Sequence, residues 1–152
     1  MNKMNQLIIR AAEEMDIKPM ADLDIICFAE PWSEEAFRGE IMENDRAFYI
    51  VAEIDGRLAG YAGLWAIVDE GHITNVAVAP EYRRKGIGRA IVATLIDVAE
   101  ENGLNSFTLE VRESNLPAQA LYSEFKFKPA GIRKGYYLDN GENAIIMWRI
   151  HE

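Results

Sequence analysis

A cationic, glycine-rich turn is the segment of this sequence best suited to bind a charged ligand. The turn comprises Arg83, Arg84, Lys85, Gly86, Ile87, Gly88 and Arg89. It separates an apolar run that stops at Pro80 from residues whose apolar spacing is typical of a helix. The start of a helix carries unpaired N–H groups and a partial positive charge, and glycine lets an anion approach the backbone closely. The turn therefore predicts a site for a phosphorylated ligand.

Two well-known phosphate loops are excluded by the residues around this turn. The dinucleotide motif G-x-G-x-x-G would need glycine or alanine where the chain has Ile91, and a Walker loop would need Gly-Lys-Ser/Thr after the glycines. What remains is R-x-x-G-x-G, from Arg83 to Gly88, at a junction between a strand and a helix. Judged alone, this short motif is also consistent with a surface turn of solvated cations.

Glu110 is the second residue whose position suggests chemistry. In the run FTLEV, Leu109 and Val111 point to one face of a strand, while Thr108 and Glu110 point to the other. A central strand covered on both faces should be apolar on both, so a carboxylate there is out of pattern. It predicts a general base, or a carboxylate that holds a water, at the carboxyl end of the strand. An ion pair with a neighbouring arginine explains the pattern equally well.

Asn115 and Tyr122 follow Glu110 in the next predicted helix. Asn115 lies at the helix start, where a simple N-cap is the ordinary role of asparagine. Tyr122 lies on the apolar stripe one turn before Phe125, so its position by itself indicates a core tyrosine.

The remaining reactive side chains indicate neither a metal site nor a disulfide. The single cysteine, Cys27, sits among apolar residues, which predicts a small buried hydrophobe rather than a nucleophile. The two histidines, His72 and His151, lack the spacing of metal ligands. We therefore expect no metal, and a reducing, cytoplasmic environment.

Length and charge restrict the class of protein further. A chain of 152 residues with 49% hydrophobic residues indicates one globular domain, 1–152. Its net charge of −9 disfavours nucleic-acid binding and suits a cationic substrate such as an amine. We find neither a signal peptide nor an apolar stretch that could span a membrane. Against this acidic background, the basic turn at 83–89 favours an anion site.

The elements that must position these residues can be read in order along the chain. Strands are predicted at 6–12, 47–54, 58–68, 71–79, 107–111, 127–134 and 144–150. Helices are predicted at 16–30, from Ser33 as an N-cap, from the glycine turn to about Asn102, and from Ser114 or Asn115. The expected fold is an α/β structure with one mixed sheet of about seven strands, flanked on both faces by about four helices.

Four motifs in this order resemble the GNAT superfamily of N-acetyltransferases and, within it, the branch that acetylates the N-terminal alanine of ribosomal proteins. They are the PWS of residues 31–33, LEVRESNLPAQALYSEFKF of residues 109–127, the twin-tyrosine segment 133–137 and the AIIM of residues 144–147; the R-x-x-G-x-G turn resembles the acyl-CoA pyrophosphate loop of the same superfamily. The resemblance covers nearly the whole chain.

The resemblance implies a role for each matching position. The backbone of Val76, Ala77 and Val78 would pair with the acetyl-pantetheine arm of acetyl-CoA, residues 83–89 would hold its pyrophosphate, and Asn115 would contact it. Glu110 would act as general base, and Tyr122 would protonate the leaving thiolate. Trp32, Tyr136 and Tyr137 would wall a peptide slot, with packing as the alternative for the two tyrosines. The implied substrate is a protein N-terminus, as in a small-subunit ribosomal protein that begins with alanine.

Three departures from the family pattern concern Glu30, where the branch has a large apolar residue, Lys126, where glycine is common, and Asn143, where aspartate is usual. Glu30 makes the peptide preference less certain than acetyl transfer. Acetylation of a small amine, and acyl-CoA binding without catalysis, are the two alternative functions. The oligomeric state and any acetylation of lysines are not determined by these motifs.

Overall fold

The computed structural model describes residues 6–150, which form one sheet and the helices packed on it. The strands are β1 Leu7–Ala11, β2 Ala47–Ile54, β3 Arg57–Ile67, β4 Glu70–Val78, β5 Ser106–Arg112, β6 Lys128–Arg133 and β7 Ala144–Ile150. The helices are α1 Ile17–Cys27, α2 Glu34–Arg38, α3 Ile87–Glu101 and α4 Leu116–Glu124. Short 3₁₀ turns cover Glu14–Asp16 and Pro80–Tyr82, and a π-helical turn, Gly39–Glu43, continues α2.

The seven strands form a single sheet in the order β1-β2-β3-β4-β5-β7-β6. Only the pair β4 and β5 is parallel, since α3 connects them as a crossover. Their pairing is restricted to residues 70–72 of β4 and 106–108 of β5. Beyond these residues the two strands separate toward their carboxyl ends. The backbone of β4 from residue 73 onward therefore has one edge that no strand covers.

The pairing of β3 with β4 contains a bulge at Thr74. Gly63 is paired with Asn75 and Leu64 with Ile73, so Thr74 is the extra residue on β4. A bulge changes the direction of a strand locally and re-aims the side chains around it. Here the Thr74 hydroxyl lies 3.0 Å from the hydroxyl of Tyr49.

Hydrophobic cores cover both faces of the sheet. Helix α3 packs on one face, where Ile91, Leu95 and Leu109 are almost fully buried. Helices α1 and α2 cover part of the other face with Met20 and Phe37. Each such side chain contributes about 1.5–3 kcal/mol by leaving water. The helices therefore hold the sheet rigid around the point where β4 and β5 separate.

Local signals explain where the helices begin and end. The Ser33 hydroxyl accepts the N–H of Ala36 at 3.1 Å, and the Asn115 side chain accepts the N–H of Ala118 at 3.2 Å, so both residues are N-caps. Helix α3 ends at Glu101 with Asn102 as its C-cap, and Gly103 then takes a left-handed φ of +92°.

The predicted order of elements is confirmed, with three differences in detail. Helix α1 ends at Cys27 rather than at Glu30, because Phe28 is already extended and a residue before proline, here Glu30, disfavours helical backbone. The turn before β4 lies at Val68 and Asp69, one residue earlier than expected. The π-helical turn after α2 had no signal in the sequence.

None of the helices within residues 6–150 is long and apolar enough to cross a membrane.

Candidate active site

Two clefts meet where β4 and β5 separate. The first, which we call the α3 groove, has a volume of ≈ 830 Å³ and runs along the exposed edge of β4 to the start of α3 and the side of α4. The second, which we call the β5 cleft, has a volume of ≈ 550 Å³ and lies between β4, β5, the end of α1 and the loop that precedes β7. Val76, Asn115 and Tyr122 line both clefts. A ligand in the groove can therefore meet a ligand in the cleft.

The backbone at the start of α3 is arranged to receive an anion. Arg84 and Gly86 both have left-handed backbone conformations, with φ of +63° and +80°. The first bond within the helix runs from the N–H of Ala90 to the carbonyl of Gly86 at 3.0 Å. The three preceding N–H groups, of Ile87, Gly88 and Arg89, are therefore not used by the helix. Together with the partial positive charge of the helix end, they form a site for a phosphate group.

The cations of the turn have different surroundings. Arg83 turns back and donates from Nε to the carbonyl of Val78 at 3.0 Å. Arg89 donates to both carboxylate oxygens of Glu124, at 2.9 and 3.0 Å. Lys85 lies over the ring of Tyr82, with its ammonium 5.8 Å from the ring centre. Because Arg83 and Arg89 already have protein partners, the backbone of the turn is the more direct anion site.

Glu110 lies in the β5 cleft and is held by two cationic partners. One carboxylate oxygen is 2.9 Å from Nε2 of His72 on β4, and the other is 3.3 Å from Nε of Arg133 on β6. The hydrogen bond from His72 lowers the pKa of Glu110, with Arg133 acting in the same direction against the effect of burial. The same hydrogen bond raises the pKa of His72. Glu110 is therefore ionised near neutral pH and is stabilised in that state.

Tyr122 lies at the junction of the two clefts. Its ring is buried and packs against Phe127 at 5.9 Å between ring centres. Burial raises the pKa of its phenol. Its hydroxyl makes no hydrogen bond with any residue of 6–150, and it therefore remains available to a ligand. A tyrosine in this state keeps its proton until a stronger base approaches it.

Aromatic side chains form the outer walls of the β5 cleft. Trp32 lies on the α1 side, where its ring contacts Phe37 and its backbone N–H donates to Asp24 at 3.0 Å. Tyr136 and Tyr137 lie on the other side, with their rings edge to face at 5.1 Å. Arg112 of β5 stacks its guanidinium on Tyr137 at 4.0 Å and pairs with Asp139 and Glu142. These contacts connect the loop before β7 to the strand that carries Glu110.

Comparison with known proteins identifies the family. The model of the acetyltransferase (GNAT) family matches residues 17–127. The chain belongs to this family. It is 44% identical over 133 residues, 88% of each chain, to a Bacillus subtilis (strain 168) protein whose provisional name is [ribosomal protein bS18]-alanine N-acetyltransferase. It is 38% identical over 141 residues to the enzyme of that name from Escherichia coli (strain K12), with 91% of this chain and 94% of the relative covered.

A solved structure supports the same assignment. The crystal structure of the ribosomal-protein-S18-alanine N-acetyltransferase from Escherichia coli superposes with a TM-score of 0.89 and 35% sequence identity. The match covers 97% of this chain and 96% of the other. The mixed sheet and four helices described above are therefore the GNAT fold.

The structure brings most of the site residues predicted from the sequence to these two clefts. The α3 groove is lined by Val76, Ala77, Val78, Arg83, Arg84, Gly86, Ile87, Gly88, Arg89, Asn115 and Tyr122. The β5 cleft is lined by Trp32, Glu110, Tyr136 and Tyr137, together with the shared residues. Lys85 does not line the groove and contacts Tyr82 instead. The ion pair expected for Glu110 is confirmed by Arg133, whereas its role as a general base or water-holding carboxylate stays a prediction for a residue that lines the cleft.

Several residues of this GNAT site were missed by the sequence reasoning. His72 was considered only as a metal ligand, and in β4, which also carries Glu70, Thr74 and Asn75, no local signal indicated that it pairs with Glu110 on the neighbouring strand. Asp24 and Asn75 line the β5 cleft but come from different elements, and no local pattern connects them. Cys27 is half-buried rather than buried and lines both clefts, and its burial raises the pKa of the thiol. His151 lies outside the described residues.

The three residues that depart from the GNAT pattern have different surroundings in the structure. Lys126 has a left-handed φ of +70°, the conformation in which glycine is unstrained. Asn143 accepts the N–H of Gly135 at 3.0 Å and donates weakly to Glu113 at 3.5 Å, a contact that an aspartate could not make. Glu30 lines the β5 cleft, so this departure lies where a substrate would bind.

Among residues 6–150, no three histidine, cysteine, aspartate or glutamate side chains are grouped as metal ligands.

Proposed function

We propose that this protein transfers an acetyl group from acetyl-CoA to the α-amino group of a protein N-terminus, and that its substrate is ribosomal protein bS18 with an N-terminal alanine. The observation that carries the proposal is the meeting of the two clefts at Tyr122, with an anion site at the far end of one and an ionised carboxylate, Glu110, in the other. The named activity of two relatives, 44% and 38% identical, supports the choice of substrate.

The α3 groove fits acetyl-CoA. Acetyl-CoA supplies an acetyl thioester on a long arm that ends in a pyrophosphate. The uncovered edge of β4 at Val76–Val78 offers backbone groups to the arm, as an added strand would. The N–H groups of Ile87, Gly88 and Arg89 would hold the pyrophosphate. A Cβ added at Gly88 would contact only Leu121 and Val78, both at 3.6 Å, so the packing of the fold does not require a glycine at this position. A ligand that lies close to the backbone would explain why the residue is a glycine.

Glu110 is suited to hold the water that carries away the proton lost by the amine. An α-amino group has a pKa near 7.7–8.0, well below the value near 10.4 of lysine, so a large fraction is neutral at physiological pH. Because His72 lowers the pKa of Glu110, this carboxylate is a weak base and is better suited to hold a water that relays the proton. The half-exposed His72 behind it offers a route to solvent.

Tyr122 is suited to protonate the departing sulfur. The new C–N bond forms as the C–S bond breaks, and the electron pair of that bond leaves with the sulfur. The phenol is a weaker acid than a thiol with the pKa of free cysteine, about 8.5, so Tyr122 first donates a hydrogen bond to the sulfur and passes its proton only as negative charge develops there and the C–S bond breaks. The phenolate then regains a proton from the solvent that receives the proton of the amine. The buried hydroxyl of Tyr122 keeps its proton for this step, because burial raises its pKa.

The outer walls of the β5 cleft favour an extended peptide over a compact amine. Trp32, Tyr136 and Tyr137 provide apolar walls, and Glu30 and Glu110 add negative charge to the cleft. The net charge of −9 would attract a basic substrate and disfavours nucleic acid as a direct partner. Since ribosomal proteins are made in the cytoplasm, we place the reaction there.

The test is thiol release from acetyl-CoA by the purified protein. The substrates are a short peptide that begins with free alanine, the same peptide with a blocked N-terminus and an internal lysine, and a panel of small amines. We expect release only with the free N-terminus. Preference for a small amine would overturn the substrate and leave the acetyl transfer, while acetyl-CoA binding without any turnover would indicate a binding module.

The substitution Glu110→Gln tests whether the carboxylate of Glu110 takes part in the acetyl transfer. We expect it to lower kcat by about 100-fold while the Kd for acetyl-CoA stays within twofold, because the carboxylate acts on the amine and not on the donor. Glu113→Gln is the control, since Glu113 is an exposed carboxylate just beyond the same strand. Equal kcat values for Glu110→Gln and the wild type would remove Glu110 from the mechanism.

A further inference from the structure

Asn75 carries a buried acceptor without a donor at the inner end of the β5 cleft. The residue lies on β4 between the bulge at Thr74 and Val76, and it lines the cleft together with Glu110 and Tyr122. Its Oδ1 atom is buried and has no hydrogen-bond partner within residues 6–150. Buried acceptors in folded proteins are almost always paired, since an unpaired one is destabilising. Oδ1 of Asn75 therefore calls for a donor from a ligand.

A chain of hydrogen bonds determines which way the Asn75 amide points. The buried carboxylate of Asp24 accepts the backbone N–H of Trp32 at 3.0 Å and the hydroxyl proton of Tyr61. Burial raises the pKa of Asp24, and the hydrogen bonds from Tyr61 and from the Trp32 N–H act in the opposite direction by favouring the ionised form. In that form Asp24 can only accept, so the hydroxyl of Tyr61 donates to it. The Tyr61 oxygen is then an acceptor, and it receives Nδ2 of Asn75 at 2.8 Å.

With Asp24 ionised, this chain excludes the opposite orientation of the Asn75 amide. If the Asn75 side chain were flipped, Oδ1 would face the Tyr61 oxygen, whose only proton is given to Asp24. Two acceptors would then face each other without a proton between them. Asp24 and Tyr61 thus hold Nδ2 of Asn75 toward Tyr61, and Oδ1 remains as an acceptor without a donor from the protein.

The position of Asn75 indicates what the donor is. It directly precedes Val76, which lines both the α3 groove and the β5 cleft. Under the proposed function, the acetyl group reaches this junction from one side and the amine from the other. A neutral primary amine has two N–H groups and one lone pair. If one N–H binds Asn75 and the other binds a water beside Glu110, the lone pair remains for the carbonyl carbon.

We propose, on the basis of the proposed function, that Oδ1 of Asn75 accepts a hydrogen bond from the attacking amine and thereby orients its lone pair. Asp24 and Tyr61 are positioning residues, because they act by holding the amide of Asn75. Asn75 therefore contributes to the selection of a primary amine with two N–H groups.

The test is a double-mutant cycle on the full chain with Asn75→Ala, Tyr61→Phe and the combined variant. With the alanine peptide, we expect kcat/KM to fall about 10- to 100-fold for Asn75→Ala and less for Tyr61→Phe. Since Tyr61 acts through Asn75, the combined variant should be no slower than Asn75→Ala. The Kd for acetyl-CoA should stay within twofold in all three. Asn75→Ser, which keeps a small polar side chain, is used if Asn75→Ala does not fold.

A second substrate distinguishes amine orientation from a structural role. A peptide with N-methylalanine offers one N–H fewer, and we expect the wild type to discriminate against it more strongly than Asn75→Ala does. Equal discrimination by both proteins, or additive effects of the two substitutions, would overturn the inference. An inactive wild type would overturn the proposed function as well, whereas an active wild type with an equally active Asn75→Ala would overturn only the role of Asn75.

Discussion

The α3 groove and the β5 cleft meet at Tyr122, yet they are built in different ways. The start of α3 and the adjoining edge of β4 come from one segment, residues 76–89, which presents backbone N–H groups beside a glycine turn, while the rest of the groove is lined mainly by α4. The cleft takes Asp24 from α1, Asn75 from β4, Glu110 from β5 and Tyr137 from the loop before β7. The anion site of the groove is therefore local in sequence and made largely of backbone, and the cleft combines residues that are distant in sequence and is made of side chains.

This difference indicates how each site responds to change. A backbone site keeps its N–H groups whatever the neighbouring side chains are, and it fails when a side chain blocks access to them. A side-chain site depends on pairs such as Glu110 with His72 and Arg112 with Glu142, whose partners come from different strands and loops. We therefore expect donor binding to be lost by obstruction, and amine binding to be lost by removal of a supporting contact.

The largest effect should come from obstruction of the groove by Gly88→Asp. The new carboxylate would lie against the pyrophosphate and the N–H groups of α3, so we expect the Kd for acetyl-CoA in calorimetry to rise at least about 100-fold. Gly88→Ala separates bulk from charge, because its Cβ has ordinary protein contacts at 3.6 Å and adds no charge, so we expect a smaller loss of acetyl-CoA binding than for Gly88→Asp. Unchanged binding by Gly88→Asp would mean that the anion does not lie at the start of α3.

Arg112→Ala should have a smaller effect, because it removes the side chain that holds the loop before β7 against the β5 cleft. This change removes the guanidinium stacked on Tyr137 and its ion pairs with Asp139 and Glu142. We expect KM for the peptide to rise about 10-fold, which corresponds to about 1.4 kcal/mol, with little change in the Kd for acetyl-CoA. Arg38→Ala, which breaks the exposed pair with Glu14, is the control. Equal losses of peptide and donor binding would contradict the separation of the two sites.

The smallest effect should be a pH-dependent change in stability for His72→Gln. The raised pKa of His72 stabilises the fold fully below its ordinary value of 6.5, and this contribution is lost as the pH rises through the folded value. The lowered pKa of Glu110 stabilises the fold above its ordinary value of 4.5, and this contribution is lost as the pH falls through the folded value. Both contributions are therefore complete between these two values.

Thermal unfolding at two pH values tests this expectation. For a partly exposed pair worth about 0.2–1 kcal/mol, we expect His72→Gln to lower Tm by about 1–3 °C at pH 6 and by less at pH 9. Glutamine keeps a donor for Glu110 and removes only the charge. An identical change in Tm at both pH values would show that His72 is not charged in the pair.

The contrast between the sites also explains which residues sequence reasoning could find. Groove residues from other elements, such as Leu121 and Glu124 of α4, were not predicted. Within the segment 76–89 nearly every predicted residue lines the groove, because strand, turn and helix start are adjacent along the chain. The exception is Lys85, since nothing in a run of three cations indicates that this one turns onto Tyr82. In the cleft, Glu110 stood out only because a carboxylate interrupts an apolar strand, and its partners His72 and Arg133 did not stand out at all.

The sequence by itself determined the order of seven strands and four helices, the helix cap at Ser33, a helix start at Ser114 or Asn115, and the position of the basic glycine turn between β4 and α3. These features depend on neighbouring residues, whose hydrophobic spacing and capping groups act over a few positions. Only the tertiary structure decided that Asp24, Tyr61 and Asn75 form one chain of hydrogen bonds, and that His72 and Arg133 both hold Glu110. These contacts depend on the strand order, the bulge at Thr74 and the separation of β4 from β5, which bring residues from distant parts of the chain together.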